Sequence, residues 1–249
     1  MSTQRRDFLR ASALVGAGLL VSNCRGAARP KDETPPTAQL PAKQNESDQG
    51  EVTATEDLMR EHGVLRRALL VYTSAATMLR AKASSVSPEA LGKTAALFRS
   101  FGEDYHEKRL EEAFIFPAVE QAGGPAGAYA DILIAQHQRG REITDYITSV
   151  TQGTVVGAAN VEPLARALES LVLMYRHHAA REDTIIFPAW KQTLSPEQLD
   201  EMNDKFEDIE HEQFGEDGFE DAIKQIGGIE ASLGIADISQ FTAPPPPKL

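Results

Sequence analysis

From Thr53 onward, apolar residues recur at helical spacing with polar residues between them. Leu58, His62, Leu65, Leu69 and Tyr72 fall on one face of a predicted first helix. It opens at Thr53, where Glu56 three residues on completes a capping box. A second helix starts at Ser87-Pro88, an N-cap with Pro at the first helical position. Its stripe is Leu91, Ala95, Phe98, Gly102 and His106; it runs to about Pro117 and stops at Gly123-Gly124. The third spans roughly Tyr129 to Thr151, with Leu133, His137, Thr144 and Ile147 near one face. The fourth is capped by Asn160 and aligns Leu164, Leu168, Leu171, Met174 or Tyr175, His178, Glu182 and Ile185. Four long helices with short Gly-, Pro- and Ser-containing loops predict an all-α, up-down-up-down four-helix bundle over residues 53–192. Ser195-Pro196 opens an additional, acidic C-terminal helix within 193–249, with Leu199, Met202, Phe206 and Ile209 expected to pack on the bundle from outside. Residues 217–249 read as a weakly amphipathic stretch and a Pro244–Pro247 tail, with little function expected there.

Before Thr53 the periodicity is absent. Residues 1–24 have the order of an export signal: Arg5-Arg6, then Asp7-Phe8-Leu9-Arg10, then the uncharged run Ala11 to Val21. That run is too short to span a membrane. Thr3 to Leu9 resembles the twin-arginine signal of bacterial export, a route that carries folded proteins. It implies a periplasmic or cell-envelope location. Val21-Ser22-Asn23-Cys24 resembles a lipoprotein box, which would tether the chain to a membrane through Cys24; cleavage near Ala28 is the competing reading. Residues 25–52 read as a flexible linker.

The formal net charge is -12, which argues against binding nucleic acid through its phosphates. With one Cys there is no internal disulfide framework, and Cys₄ zinc sites and Cys-held iron–sulfur clusters are excluded.

The candidate chemistry lies in a repeated stretch. Tyr105 to Pro117 reads YHEKRLEEAFIFP, and Arg176 to Pro188 reads RHHAAREDTIIFP. Aligned on the Pro, they share a His, an acidic pair and Ile-Phe-Pro, 71 residues apart (188 minus 117). A repeat of that size fits a duplicated helix hairpin. Each copy sets an imidazole and a carboxylate about one turn apart, as bundle helices do when they offer ligands to a metal. A lone His on an apolar face is more often a hydrogen-bonded core residue. Here each of the four helices carries one on or beside its stripe, and a shared metal site accounts for all four. His211, among Asp208, Glu210 and Glu212, reads as a solvated surface residue.

These residues together resemble the hemerythrin-like (HHE cation-binding) family over about residues 55–190. The resemblance implies a non-haem di-iron centre with two bridging carboxylates, His residues completing the shells, and one position open to O₂, NO or peroxide. Carried onto this sequence, the implied ligands are His62, His106, Glu111, His137, His178 and Glu182. Three features stand apart. His177 and His178 compete on the fourth helix: helical phase with Glu182 favours His178, the match to His106 favours His177. His106 and Glu111 are five residues apart, a spacing that a π-bulge before Pro117 would close; otherwise Glu107, four residues before Glu111, is the substitute. Oxygen-carrying hemerythrins place a second His one turn after the third-helix His, where this chain has Arg141. That puts reversible O₂ carriage in doubt and leaves sensing, redox or iron-handling chemistry open. The function implied is binding or sensing of a small ligand, with a di-iron oxidase or ferroxidase as the alternative.

Overall fold

The computed structural model describes residues 52–215 and 217–247. The export signal, the Cys24 motif and the linker of residues 25–51 lie outside them. Helix α1 is Ala54–Lys82. Its first turn is closed by Thr53, whose hydroxyl accepts the Glu56 N–H while the Glu56 carboxylate accepts the Thr53 N–H. Helix α2 runs from Pro88 to Ala122 in three parts: α-helical Pro88–Leu97, π-helical Phe98–Ile115, and α-helical Phe116–Ala122. Ser87 caps it through the Ala90 N–H. Gly123 and Gly124, with φ of 73° and 75°, end it in a conformation that only glycine adopts freely. Helix α3 is Ala130–Val150. Helix α4 is α-helical over Val161–Arg181, π-helical over Glu182–Ile186 and α-helical again over Phe187–Gln192.

Each of these four helices packs on its neighbours in sequence, and α1 against α4 closes the ring, as expected for an up-down-up-down bundle. Pairings along the α1–α4 seam run antiparallel: Arg66 meets Asp183 and Arg80 meets Glu162. The stripes read from the sequence face inward. Leu58, Leu65, Leu69, Tyr72, Leu91, Phe98, Leu133, Ile147, Leu164, Leu168 and Leu171 are all buried in one core.

The C-terminal region holds more than one helix. α5, Pro196–Phe214, opens with a Ser195–Gln198 capping box and buries Phe206 against Trp190 and Phe114. The stretch read as weakly amphipathic forms a sixth helix, α6, Gly218–Ser232. It buries Phe219, Ala222, Ile226 and Ile229 and packs on α1 and the start of α2. Its apolar positions 219, 222, 226 and 229 keep a 3–4 spacing; the flanking glycines and acids masked it. Among the described residues there is no strand, and no helix is long and apolar enough to cross a membrane.

Candidate metal centre

Each helix of the bundle delivers one buried imidazole to a common point: His62 from α1, His106 from α2, His137 from α3 and His178 from α4. Two buried carboxylates lie among them, Glu111 of α2 and Glu182 of α4. One Glu111 oxygen is 3.3 Å from His106 Nε2, and the other is 3.3 Å from His137 Nε2. One Glu182 oxygen is 2.9 Å from His178 Nε2, and the other is 3.5 Å from His62 Nε2. Each carboxylate therefore turns one oxygen to the pair His62/His106 and one to the pair His137/His178.

The backbone explains how α2 and α4 achieve this with different spacings. His178 and Glu182 are four residues apart, so an ordinary α-turn aligns them. His106 and Glu111 are five apart and would splay by about 140° on a regular α-helix. The π-helical stretch closes that gap, since its wider turn puts residues five apart on one face. Pro117 gives a local reason for the wide turn: it has no N–H to donate, and its ring crowds the carbonyl four residues back. The Phe116 N–H donates to the Glu111 carbonyl, five back. Before Pro188 the Phe187 N–H likewise donates to the Glu182 carbonyl. There the wide turn begins at Glu182, after the His178–Glu182 pair.

The second nitrogen of every imidazole is also held. His62 Nδ1 is 2.7 Å from Asp183, which pairs with Arg66. His137 Nδ1 is 2.9 Å from Glu112, which accepts from Arg141 at 2.6 Å. His106 Nδ1 is 2.6 Å from Glu61, whose other oxygen accepts from the Tyr105 hydroxyl at 2.9 Å. His178 Nδ1 is 2.9 Å from the Gln136 amide oxygen. An Nδ1–H donated outward leaves the Nε2 lone pair directed inward, the form that binds a metal. The duplication extends to this layer. Arg66 and Arg141 stand 75 residues apart (141 minus 66), as do His62 and His137 (137 minus 62). Phe187 stacks on His62 and Phe116 on His137, with ring centroids 5.3 and 5.5 Å apart.

Charge and burial make the cluster incomplete by itself. All four oxygens of Glu111 and Glu182, and His106 Nε2, are buried, and their 2.9–3.5 Å approaches to one another and to the other imidazoles are ion-pair contacts without hydrogen-bond alignment. A polar atom left in that state costs about 1–3 kcal/mol. Burial disfavours the Glu111 carboxylate, but the His106 and His137 imidazoles reverse this and hold it well below the usual range. Burial likewise disfavours charge on His106, which Glu111 and Glu61 raise well above its ordinary value. His137 is raised to about 10, against burial, by Glu107, Glu111 and Glu112. Without a cation, protons on the imidazoles balance the carboxylates; a cation at the same place replaces those protons and satisfies the bare oxygens. Imidazole and carboxylate together suit iron and other first-row metals. Glu111, His137, His178 and Glu182 form one group with ligand atoms close enough to hold an ion, and His62, His106 and Glu111 form another.

The six residues implied by the resemblance thus converge. Of the two competing histidines, the structure brings only His178 to the cluster; His177 is exposed and meets Arg181. A helical step of about 100° separates them. Glu107 is buried beside the cluster, but its oxygens meet the Tyr175 hydroxyl at 2.6 Å and Arg141 at 3.3 Å. It is grouped with Glu112 and His137, not with either inner set. Burial pushes the Glu107 carboxyl up, and burial with Glu107 pushes the Tyr175 phenol well up. Gly140 makes room for Tyr175: a Cβ there would overlap the hydroxyl. His211 is exposed, as read.

Sequence reasoning missed Glu61, Gln136, Tyr105 and Tyr175, along with the roles of Glu112 and Asp183. The last two are the second members of the repeated acidic pair, and Glu61 and Gln136 each precede a stripe His; those were the available signals. A small cavity adjoins the cluster, bounded by Leu65, Leu69, Tyr175 and Ala179 as well as ligand residues, and Arg66 is the exposed residue of its lining.

The profile of the hemerythrin HHE cation binding domain matches residues 53–190. An uncharacterized protein of Mycobacterium bovis is 40% identical over 246 residues, covering 96% of this chain and 90% of the relative. An uncharacterized protein of Mycobacterium tuberculosis H37Rv matches to the same extent. No solved structure gives a significant match. The profile spans all four bundle helices and every residue of the cluster, and the converging imidazoles and bare carboxylates supply the donors such a domain needs: the chain belongs to the hemerythrin HHE cation-binding family.

Proposed function

We propose that the chain holds two iron ions between its four helices and uses them to bind or sense O₂, NO or peroxide. The observation that carries this is the double facing of Glu111 and Glu182, each with one oxygen toward each imidazole pair. One ion would lie among His62, His106 and the two carboxylates, the other among His137, His178 and the same carboxylates. Shared carboxylates offset the charge of two cations in a low-dielectric core. Iron bound there supplies an exchangeable coordination position and two oxidation states. The chain's own residues set what reaches it. Leu65, Leu69 and Ala179 offer a small apolar space suited to a diatomic or peroxide-sized ligand, with Arg66 at its exposed edge. Arg141, pairing with Glu112 and Glu107, stands where an oxygen carrier would have a further His, which favours sensing, redox or iron-handling over reversible carriage.

Anaerobic loading of the purified chain with Fe(II), followed by metal analysis, tests the centre. Two irons per chain are expected; a value near zero, or zinc retained in place of iron, overturns it. Air exposure then separates binding from turnover. An absorption band that appears in air and reverses on deoxygenation supports a binding protein. Steady O₂ consumption with added Fe(II) or reductant supports an oxidase or ferroxidase instead.

We further propose that the chain acts in the cell envelope and is exported folded, on the warrant of Arg5-Arg6 before Phe8-Leu9 and a short apolar run. Arg5→Lys with Arg6→Lys is expected to hold the precursor in the cytoplasm; unimpaired export overturns the twin-arginine route.

A further inference from the structure

Helix α5 lies beyond the family-matched segment, yet its last residue reaches toward the cluster. Phe214 packs edge-on against Tyr105 with ring centroids 5.2 Å apart, and against Phe101 at 5.9 Å. Tyr105 is buried, and its hydroxyl donates to one Glu61 oxygen at 2.9 Å. The other Glu61 oxygen meets His106 Nδ1 at 2.6 Å. An unbroken line of contacts therefore runs from Phe214 through Tyr105 and Glu61 to one imidazole.

The corner after α5 is shaped to keep Phe214 in place. Gly215 has φ of 94°, which turns the chain directly after it. A Cβ on Gly218, the first residue of α6, would collide with the Phe214 ring. The Phe219 N–H donates to the buried Glu210 carboxylate at 2.7 Å and ties the start of α6 to α5. In the duplicated half the partners differ: His178 Nδ1 meets the amide oxygen of half-buried Gln136 at 2.9 Å, and the Tyr175 ring lies 5.3 Å from the His178 ring.

We propose that Phe214 and Tyr105 are positioning residues for the metal position of His62 and His106, so that α5 supports one of the two positions and not the other. Phe214 confines the Tyr105 ring, the hydroxyl orients Glu61, and Glu61 holds the His106 ring with Nε2 inward. The inference depends on the two-iron reading above. Loss of such an outer partner weakens metal affinity about 10–100-fold, and a wedge acting two contacts away belongs at the lower end.

The test is anaerobic Fe(II) titration of the full chain by calorimetry, with melting temperatures measured alongside. Phe214→Ala and Tyr105→Phe are each expected to weaken one iron equivalent about tenfold and leave the other within about twofold. Phe206→Ala, on the same helix but stacked on Trp190 away from this line, should lower the melting temperature and spare both equivalents. In a His106→Ala background, adding Phe214→Ala should weaken nothing further, because both act on the same position. The inference is overturned if Phe214→Ala and Tyr105→Phe keep both equivalents at wild-type affinity. It is equally overturned if Phe214→Ala loosens both equivalents alike, as a merely destabilised bundle would. A wild-type chain that takes up no iron overturns the two-iron reading itself, a result distinct from an iron-binding wild type with indifferent variants.

Discussion

Adjacent histidines on α4 have opposite surroundings, and this makes them a sharp probe of the centre. His178 is buried with both ring nitrogens engaged, while His177 is exposed and meets the Arg181 side chain. His177→Ala is expected to change stability by less than about 0.5 kcal/mol and to leave iron uptake unchanged. His178→Ala should lose at least one iron per chain by metal analysis, and the melting point of the iron-loaded protein should fall with it. The reverse pattern would mean that the wide turn before Pro188 begins earlier than Glu182. The pH dependence comes from His106, held well above its ordinary value, and from His137. The His137 value in the folded, metal-free chain is about 10 against an ordinary 6.5. The stability it contributes is complete below pH 6.5 and is lost as pH rises through 10. Glu111, held below its ordinary 4.5, acts in the opposite sense: its contribution is present above 4.5 and is lost as pH falls through its folded value. Metal binding must displace the imidazole protons, so iron affinity should rise with pH above 6.5. Melting curves at pH 6.5 and 8.5 check this. The metal-free protein should lose stability between them, and the gap to the iron-loaded form should widen; a gap that narrows contradicts protonated imidazoles in the empty centre.

Helix starts differ in how well their ends are satisfied. Thr53 and Ser195 both form complete capping boxes. Asn160 stands at the N-cap of α4 as the sequence suggests, but with φ of -97° and ψ of -10° its side chain makes no capping bond. Thr53→Ala and Ser195→Ala are therefore expected to cost about 1 kcal/mol each, and Asn160→Ala well under about 0.5 kcal/mol, by urea unfolding. An equal cost at Asn160 would show that its amide caps α4 in solution. The contrast marks what a sequence can tell about an element. Residue type and periodicity locate a helix, its buried stripe and its cap position; Leu58, His62, Leu65 and Leu69 were legible in that way. Backbone conformation at one residue decides whether the cap bond forms, and no pattern of residue types reports it. The same divide runs through α2. The five-residue gap from His106 to Glu111 before Pro117 pointed to a wide turn, but a period of 3.6 could not show that π geometry extends from Phe98 to Ile115. Outer partners such as Glu61 for His106 and Gln136 for His178 depend on how helices meet in space, so only their adjacency to a stripe His hinted at them.

For the whole molecule, the question is whether the bundle is complete at the end of its family-matched segment. The stripe of α6 was hidden by Gly218, Gly227, Gly228 and surrounding acids, yet Phe219, Ala222, Ile226 and Ile229 are buried against α1 and α2. Polar contacts add to this. Arg67 forks onto Glu230 at 3.0 and 2.5 Å, and the Arg60 guanidinium lies 4.3 Å from the centre of the Phe219 ring. Burying a large apolar side chain contributes about 1.5–3 kcal/mol. Removal of α5 and α6 by ending the chain at Gln192 also bares Trp190, Phe114 and Phe101. Such a chain is expected to melt at least about 5 °C lower than the full one. It should also bind a hydrophobic dye that the full chain does not. Ending at Gly215 removes α6 and the residues after it but keeps α5 with Phe206 on Trp190, so its melting temperature should fall between the two. If the chain ending at Gln192 melts with the full-length protein, the apolar faces of α5 and α6 add no net stability, and the four-helix bundle is thermodynamically self-sufficient.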